Sequence, residues 1–465
     1  MTTAPEIPSR HLPPVTYRPM PEAPSFRKVM GPGIVLVAGA VGSGEFLVWP
    51  YVASHEGLGL LWAAVLGVCL QFFVNTEVQR YTLATGETAI TGFTRLWRPW
   101  GLLFATLPLV GFLFPGIAVG AATTLNYAFG VDVLLCAIVG LLLVGVAFSL
   151  SPVVYQTLEK FQTVMTAVVL AFLAVATVVC TSLGDWAEAA RGVVSVGTLP
   201  EAIEPAVFFS ALVYAGSGGL GNLAVANWIR DKNWGMGAYV PRIVSPITGA
   251  ETAAPALGHL FPQDPENIGR FRRWWRLANR EQLVLFVGIG VATIVALSVL
   301  AHSTVGGARV DEKDLAFVRV EGAVLAERVG DWFGTAFFLV GFCILFSTVI
   351  GNLDIAGRVV ADVWKVDRLR DSVFWSESKL YLLTVWAQVL IGIAILVLGL
   401  EQPLILISIS GVIGGLVLFA STALLIRLNR TLPAAIRLRG VRLVMMTATA
   451  LFYGAFAVHV ICTTV

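Results

Sequence analysis

Val37-Ala-Gly-Ala-Val-Gly-Ser-Gly-Glu-Phe46 and Tyr214-Ala-Gly-Ser-Gly-Gly-Leu-Gly-Asn222 share the tripeptide Gly-Ser-Gly, at 42–44 and 216–218. Each stretch lies inside an apolar run of membrane-spanning length. Gly39, Gly42 and Gly44 weaken the first run near its middle, and Gly216, Gly218, Gly219 and Gly221 weaken the second. A glycine in a helix interior costs about 1 kcal/mol relative to alanine. Unwound backbone at membrane depth is tolerated only where it is buried in protein or lines a cavity. Matching interruptions in two halves of a chain point to an inverted-repeat transporter that binds its cargo at the breaks.

The rest of the chain fits that architecture. Of 465 residues, 57% are hydrophobic and 13% charged; soluble domains carry about twice that charge. Apolar spans are expected at 33–56, 59–84, 101–128, 131–150, 157–181, 202–230, 279–302, 332–351, 378–399, 403–427 and 441–463. Pro108 and Pro115 should kink the third. With the N-terminus cytoplasmic, 26 of the 31 lysines and arginines fall on the inner side and 5 outside, the bias that sets orientation in membranes. The chain is therefore expected to be an all-α polytopic membrane protein, with a 5+5 inverted repeat (31–181 and 202–427) and an eleventh helix at 441–463. The transporter domain spans 31–463.

Residues 1–30 are proline-rich and are expected to form a disordered cytosolic tail. Residues 231–278 are expected to be a long basic cytosolic loop. Its run Arg270-Phe-Arg-Arg-Trp-Trp-Arg276 suits an interfacial anchor or a lipid-headgroup site. An amphipathic helix is expected near 312–328. The five cysteines lie in apolar stretches and imply neither disulfides nor a zinc site. A net charge of +2 gives no field for nucleic acid. No nucleophile motif, phosphate loop or HExxH stretch occurs, so neither an enzyme nor an ATP-driven pump is expected. No catalytic residue, resident metal or cofactor is assigned.

Glu45 is a carboxylate near mid-membrane, where such groups are costly and usually functional. It suits a cation ligand, a proton carrier or a partner for a helix end. Asn222 suits a ligand contact or a cap for the outer half-helix. Ser347 and Thr348 could hold Na⁺ together with carbonyls of the first break, or could bond back to their own helix. Asn352 and Asp354 suit gating or capping, and His55 and Glu56 an interfacial position.

Gly31-Pro-Gly33, the break in span one, Thr85-Gly86, Tyr155-Gln-Thr-Leu-Glu159 and Ala356-Gly357 resemble the natural resistance-associated macrophage protein (Nramp) family over about residues 31–427. The resemblance implies the leucine-transporter-type fold and alternating access. The metal-binding signature departs from the family's pattern. Asp-Pro-Gly-Asn becomes Gly42-Ser43-Gly44-Glu45, and Met-Pro-His becomes Gly219-Leu220-Gly221. Phe114 and Ile117 stand where acidic residues of span three are expected.

These residues suggest a secondary transporter of a small oxyanion or carboxylate such as bicarbonate. Cargo would bind Gly42, Ser43, Gly44, Glu45, Gly216, Ser217, Gly218, Gly219, Gly221 and Asn222. Na⁺ would couple through Glu45, Ser347 and Thr348. A Mg²⁺ or Mn²⁺ carrier with Glu45 as sole anionic ligand, an amino-acid carrier and a non-transporting sensor are the alternatives. The partners expected are the solute and the lipid bilayer, for a monomer in the inner membrane.

Overall fold

A computed structural model describes residues 7–25, 33, 35–36, 42, 44–111, 115–200, 203–306, 315–399 and 403–464. Expectations for residues 1–6, 26–32, 37–41, Ser43 and Phe114 lie outside them. After β1 (Thr16–Tyr17), a wide helical turn at Gly44–Val48 leads into α1 (Trp49–Glu56). Then come α2 (Leu61–Thr85), α3 (Ala89–Leu96), α4 (Arg98–Gly111), α5 (Gly116–Phe129), α6 (Val133–Leu150), α7 (Val154–Cys180) and α8 (Leu183–Val194). The second half holds α9 (Pro205–Tyr214), α10 (Leu220–Asp231), β2 (His259–Leu260), α11 (Pro265–Glu281) and α12 (Gly290–Val305). It ends with α13 (Ala316–Val329), α14 (Asp331–Val363), α15 (Glu377–Val397), α16 (Pro403–Arg430) and α17 (Val441–Thr464).

Eight stretches of the described residues are long and apolar enough to cross a membrane. One of them, Gly44–Thr85, is 42 residues long, about 60 Å at 1.5 Å per residue, twice the hydrocarbon thickness. Gly57, at φ 70°, ends α1, so this stretch is not one helix: α2 is long enough for a crossing, and Gly44–Glu56 is the part of span one that follows its break. Among the described residues, spans three and six each appear as two helices too short to qualify alone. In span three α4 and α5 stand either side of residues 112–114, which are not described; Pro115 precedes α5 and supplies no amide to the helix. Among the described residues, helices thus occupy all or part of each of the eleven expected spans. Helix ends follow local chemistry: Asp132 caps α6 by accepting from the Leu135 amide at 2.7 Å, and Ser182 opens α8 with a reciprocal capping box.

Two expectations are corrected. The tail expected to be disordered is ordered chain over residues 7–25. β1 pairs in parallel with β2. Arg95 donates to the carbonyls of Pro8 and Pro13 at 3.2 and 2.8 Å. Asn267 accepts the Met20 amide at 2.7 Å, and Trp274 donates to the Pro21 carbonyl at 3.0 Å. Side chains from elsewhere in the chain thus satisfy a backbone that its prolines keep out of helices. The expected loop 231–278 also has its own structure. It contains β2, and α11 occupies its last part, continuing without a break into span seven as a 41-residue helix, Pro265–Val305.

The face of the molecule bearing residues 7–25 is called the tail side below.

Candidate functional site: two helix breaks in contact

The two glycine breaks meet. A β-carbon on Gly44 would stand 2.6 Å from the Tyr214 carbonyl oxygen, closer than atoms can approach, so only glycine lets span one lie against the end of α9. Glu45 to Val48 follow in the wide turn, with the Phe46 amide donating to the Gly42 carbonyl at 3.0 Å. Gly42 is buried.

In span six, α9 stops at Tyr214 and α10 starts at Leu220. Gly218 and Gly219 between them hold φ of 66° and 79°, the left-handed region that L side chains avoid. Gly221 sits in the first turn of α10, and a β-carbon there would touch that of Ser217 at 3.0 Å. Span ten closes the far wall: a β-carbon on Gly414 would lie 2.5 Å from the Gly218 carbonyl.

Three side chains of α2 and α10 hold this unwound segment. Gln71 accepts the Ser217 amide at 2.8 Å and donates to the Val213 carbonyl at 2.8 Å. A side chain on Gly216 would run into the same Gln71 amide. Asn222 accepts the Gly219 amide at 2.9 Å and donates to Asn75 at 2.7 Å. Asn222 therefore caps α10, the second half-helix, rather than the outer half expected, because its side chain turns back over the start of its own helix. The buried Ser217 hydroxyl has no hydrogen-bond partner among the described residues. The N-terminus of α10, with its positive dipole end, points at the break.

Glu45 turns toward span seven. Its Oε2 accepts the Thr293 hydroxyl, while the buried Oε1 has no partner among the described residues. Farther down the same span, Glu281 accepts the Gly33 amide at 2.5 Å. Span seven thus grips span one on both sides of its break. Ser347 and Thr348 donate to the Ile344 carbonyl of their own helix at 2.8 and 3.1 Å. The Ser347 carbonyl accepts from Gln162 of α7 at 3.0 Å. No hydrogen bond among the described residues joins Glu45 to this pair.

On the tail side of the breaks, buried ion pairs tie α10 to α14 and α15. Arg230 meets Asp362 at 3.0 Å and also Glu377. Arg358 meets Asp231 at 2.5 Å and Asp354 at 2.6 Å. Asp354 also accepts from Trp228 and Tyr381. At the other end of α1, His55 faces the Tyr51 carbonyl at 2.9 Å, and Glu56 accepts the Ile203 amide at 2.9 Å.

No family model and no curated protein matches the chain. Solved structures do. A manganese transporter from Eremococcus coleocola superposes with a TM-score of 0.68 at 15% identity, covering 95% of this chain and 88% of that one. MhsT in complex with L-phenylalanine gives 0.54 at 13% identity, with 93% and 98% covered. Mhp1, a nucleobase-cation-symport-1 family transporter, gives 0.53 at 12% identity, with 98% and 96% covered. The chain has the leucine-transporter-type fold. That fold makes α1 and its preceding turn the counterpart of α9–α10 in the second repeat, with α17 as the additional helix.

Gln71, Asn75, Thr293, Glu281 and Gln162 were not singled out from sequence. Their common signal is a polar side chain within or at the edge of an apolar span, which needs a buried partner. That partner lies more than 140 residues away in each case.

Proposed function

We propose that this chain is a secondary active transporter of a small oxyanion or carboxylate, bicarbonate being the simplest, with Na⁺ as coupling ion. The observation that carries this reading is the contact between Gly44 and the Tyr214 carbonyl, which makes the two breaks one site. Cargo binds between Gly42–Glu45 and Gly216–Asn222. The dipole of α10 favours negative charge there, and the unpartnered Ser217 hydroxyl is available to donate to an oxyanion. The carbonyls ending α9 already receive the Gln71 amide, which blunts the negative end of that helix. Glu45 directs its carboxylate to Thr293. Na⁺ engages the free Oε1 of Glu45 and the hydroxyls of Ser347 and Thr348 as these leave the Ile344 carbonyl. The protein works as a monomer in the plasma membrane.

A divalent-cation cargo, Mg²⁺ or Mn²⁺, is the second reading. It is favoured by the higher structural similarity to a manganese transporter. Glu45 is then the anionic ligand of an ion that keeps most of its water. Against it, the described residues hold no group of three His, Cys, Asp or Glu side chains able to bind a metal ion.

Uptake into proteoliposomes separates the two. An inward Na⁺ gradient should drive accumulation of labelled bicarbonate or formate, and Mn²⁺ should not enter. Saturable Mn²⁺ uptake without Na⁺ would transfer the site to the second reading.

A further inference from the structure

We infer that α11 presents a docking surface for the headgroups of anionic phospholipids on the tail side of the membrane. The helix is two-faced. Phe271, Trp274 and Ala278 are buried against the protein. Arg272, Arg273, Arg276 and Arg280 are exposed, and none makes an ion pair or hydrogen bond among the described residues. By contrast, Arg270 on the same helix pairs with Glu266 at 2.6 Å and donates to the Met20 carbonyl at 3.0 Å.

The occupant follows from what continues this face. α11 runs unbroken into span seven, and the next exposed residues are Leu283 and Val284, at 55% and 53% exposure. In a membrane-spanning helix such apolar exposure is contact with acyl chains. Arg280 and Arg276 stand roughly 4 and 10 Å before Leu283 along the axis. The polar layer of a leaflet is about 5–7 Å deep, and an arginine side chain reaches across several ångströms more. The guanidinium groups therefore hang over the lipids that touch Leu283 and Val284, where an anionic headgroup supplies the charge they lack.

The surface is held rigidly. Two guanidinium groups pack on Trp275, Arg80 at 4.1 Å and Arg442 at 4.7 Å from its ring centre. Arg80 also donates to the Ile436 carbonyl at 2.9 Å. That bond brings the α16–α17 connection, with exposed Arg437 and Arg439, to the same helix. The same helix holds the tail at Met20 and Pro21, so lipid bound here bears on an element that reaches Glu281 and Thr293.

The test uses the full-length purified protein in detergent, with phosphatidylglycerol or phosphatidylcholine added, at low and high NaCl. Phosphatidylglycerol should raise the melting temperature by several degrees more than phosphatidylcholine, and high salt should shrink that excess. R272Q/R273Q/R276Q/R280Q should lose most of the excess, whereas R368Q/R370Q, arginines following α14 that pair with Asp367 and Asp371, should keep it. A second readout is the phosphatidylglycerol that co-purifies with each protein, measured by mass spectrometry, which should fall in R276Q/R280Q. Equal stabilisation by both lipids, or full retention of lipid and shift in the α11 variants, overturns the proposal. So does an equal shift with inorganic phosphate, which would mark a free-anion site instead.

Discussion

Gln71 holds Ser217 in place from outside the broken helix: one side-chain amide accepts the Ser217 N–H at 2.8 Å and donates to Val213 at the same distance. Gln71→Leu leaves the Ser217 amide without that partner, at about 1–3 kcal/mol, and leaves the Val213 carbonyl with the long Gly216 contact of 3.5 Å. The variant should melt several degrees lower in detergent and lose uptake. Gln71→Glu keeps the acceptor and loses the donor, so it should fall between the two.

Gly44→Ala places a methyl group against the Tyr214 carbonyl and forces the breaks apart. Uptake should fall by about tenfold or more, equivalent to a barrier raised by about 1.4 kcal/mol. Gly59→Ala is the control, because nothing lies within 4 Å of a β-carbon there. Its uptake should stay near wild type.

Glu45→Gln keeps the volume and removes the charge that Na⁺ is proposed to meet. Transport should lose its Na⁺ dependence. Thr293→Val removes a hydrogen bond to that carboxylate, an interaction of about 1.5–3 kcal/mol, and should raise the Na⁺ concentration needed for half-maximal uptake. Unchanged Na⁺ dependence in Glu45→Gln would remove Glu45 from the coupling site.

Arg358→Met removes the ion-pair partner of buried Asp354 and the nearer of the two partners of buried Asp231, whose other is Arg230 at 3.5 Å. Breaking a buried ion pair from one side costs about 3–5 kcal/mol. Thermal unfolding should show a strongly destabilised variant. The double change Arg358→Met with Asp231→Leu should recover part of the loss, because one stranded charge is gone.

Glu321 lies on α13, outside the candidate membrane spans, and burial raises its carboxyl pKa from 4.5 to about 8. The folded state then holds a proton that the unfolded state releases above pH 4.5. Stability should therefore decline as pH rises from about 4.5 to about 8, then level off. Glu321→Gln should flatten that decline in melting temperature.

The spans and their breaks were legible because hydrophobic length and glycine spacing are local signals. The helix expected near 312–328 is described as Ala316–Val329 for the same reason. The supports of the breaks were hidden. Gln71 and Asn75 are two of several polar residues in span two, and only the fold shows that they face span six. The tail misled for a related reason: its prolines report what the backbone avoids locally, while Arg95, Asn267 and Trp274, far along the chain, fix where it goes. Glu45 was legible as a costly carboxylate, but its partner Thr293 sits 248 residues away.

The most direct test of the central claim is the melting temperature of the purified protein with bicarbonate, formate, Mg²⁺ or Mn²⁺, each with and without Na⁺. A ligand of the folded state raises that temperature by mass action. The account predicts a rise with bicarbonate or formate that requires Na⁺ and disappears in Gly44→Ala. A rise with Mn²⁺ or Mg²⁺ alone, and none with the anions, would contradict it.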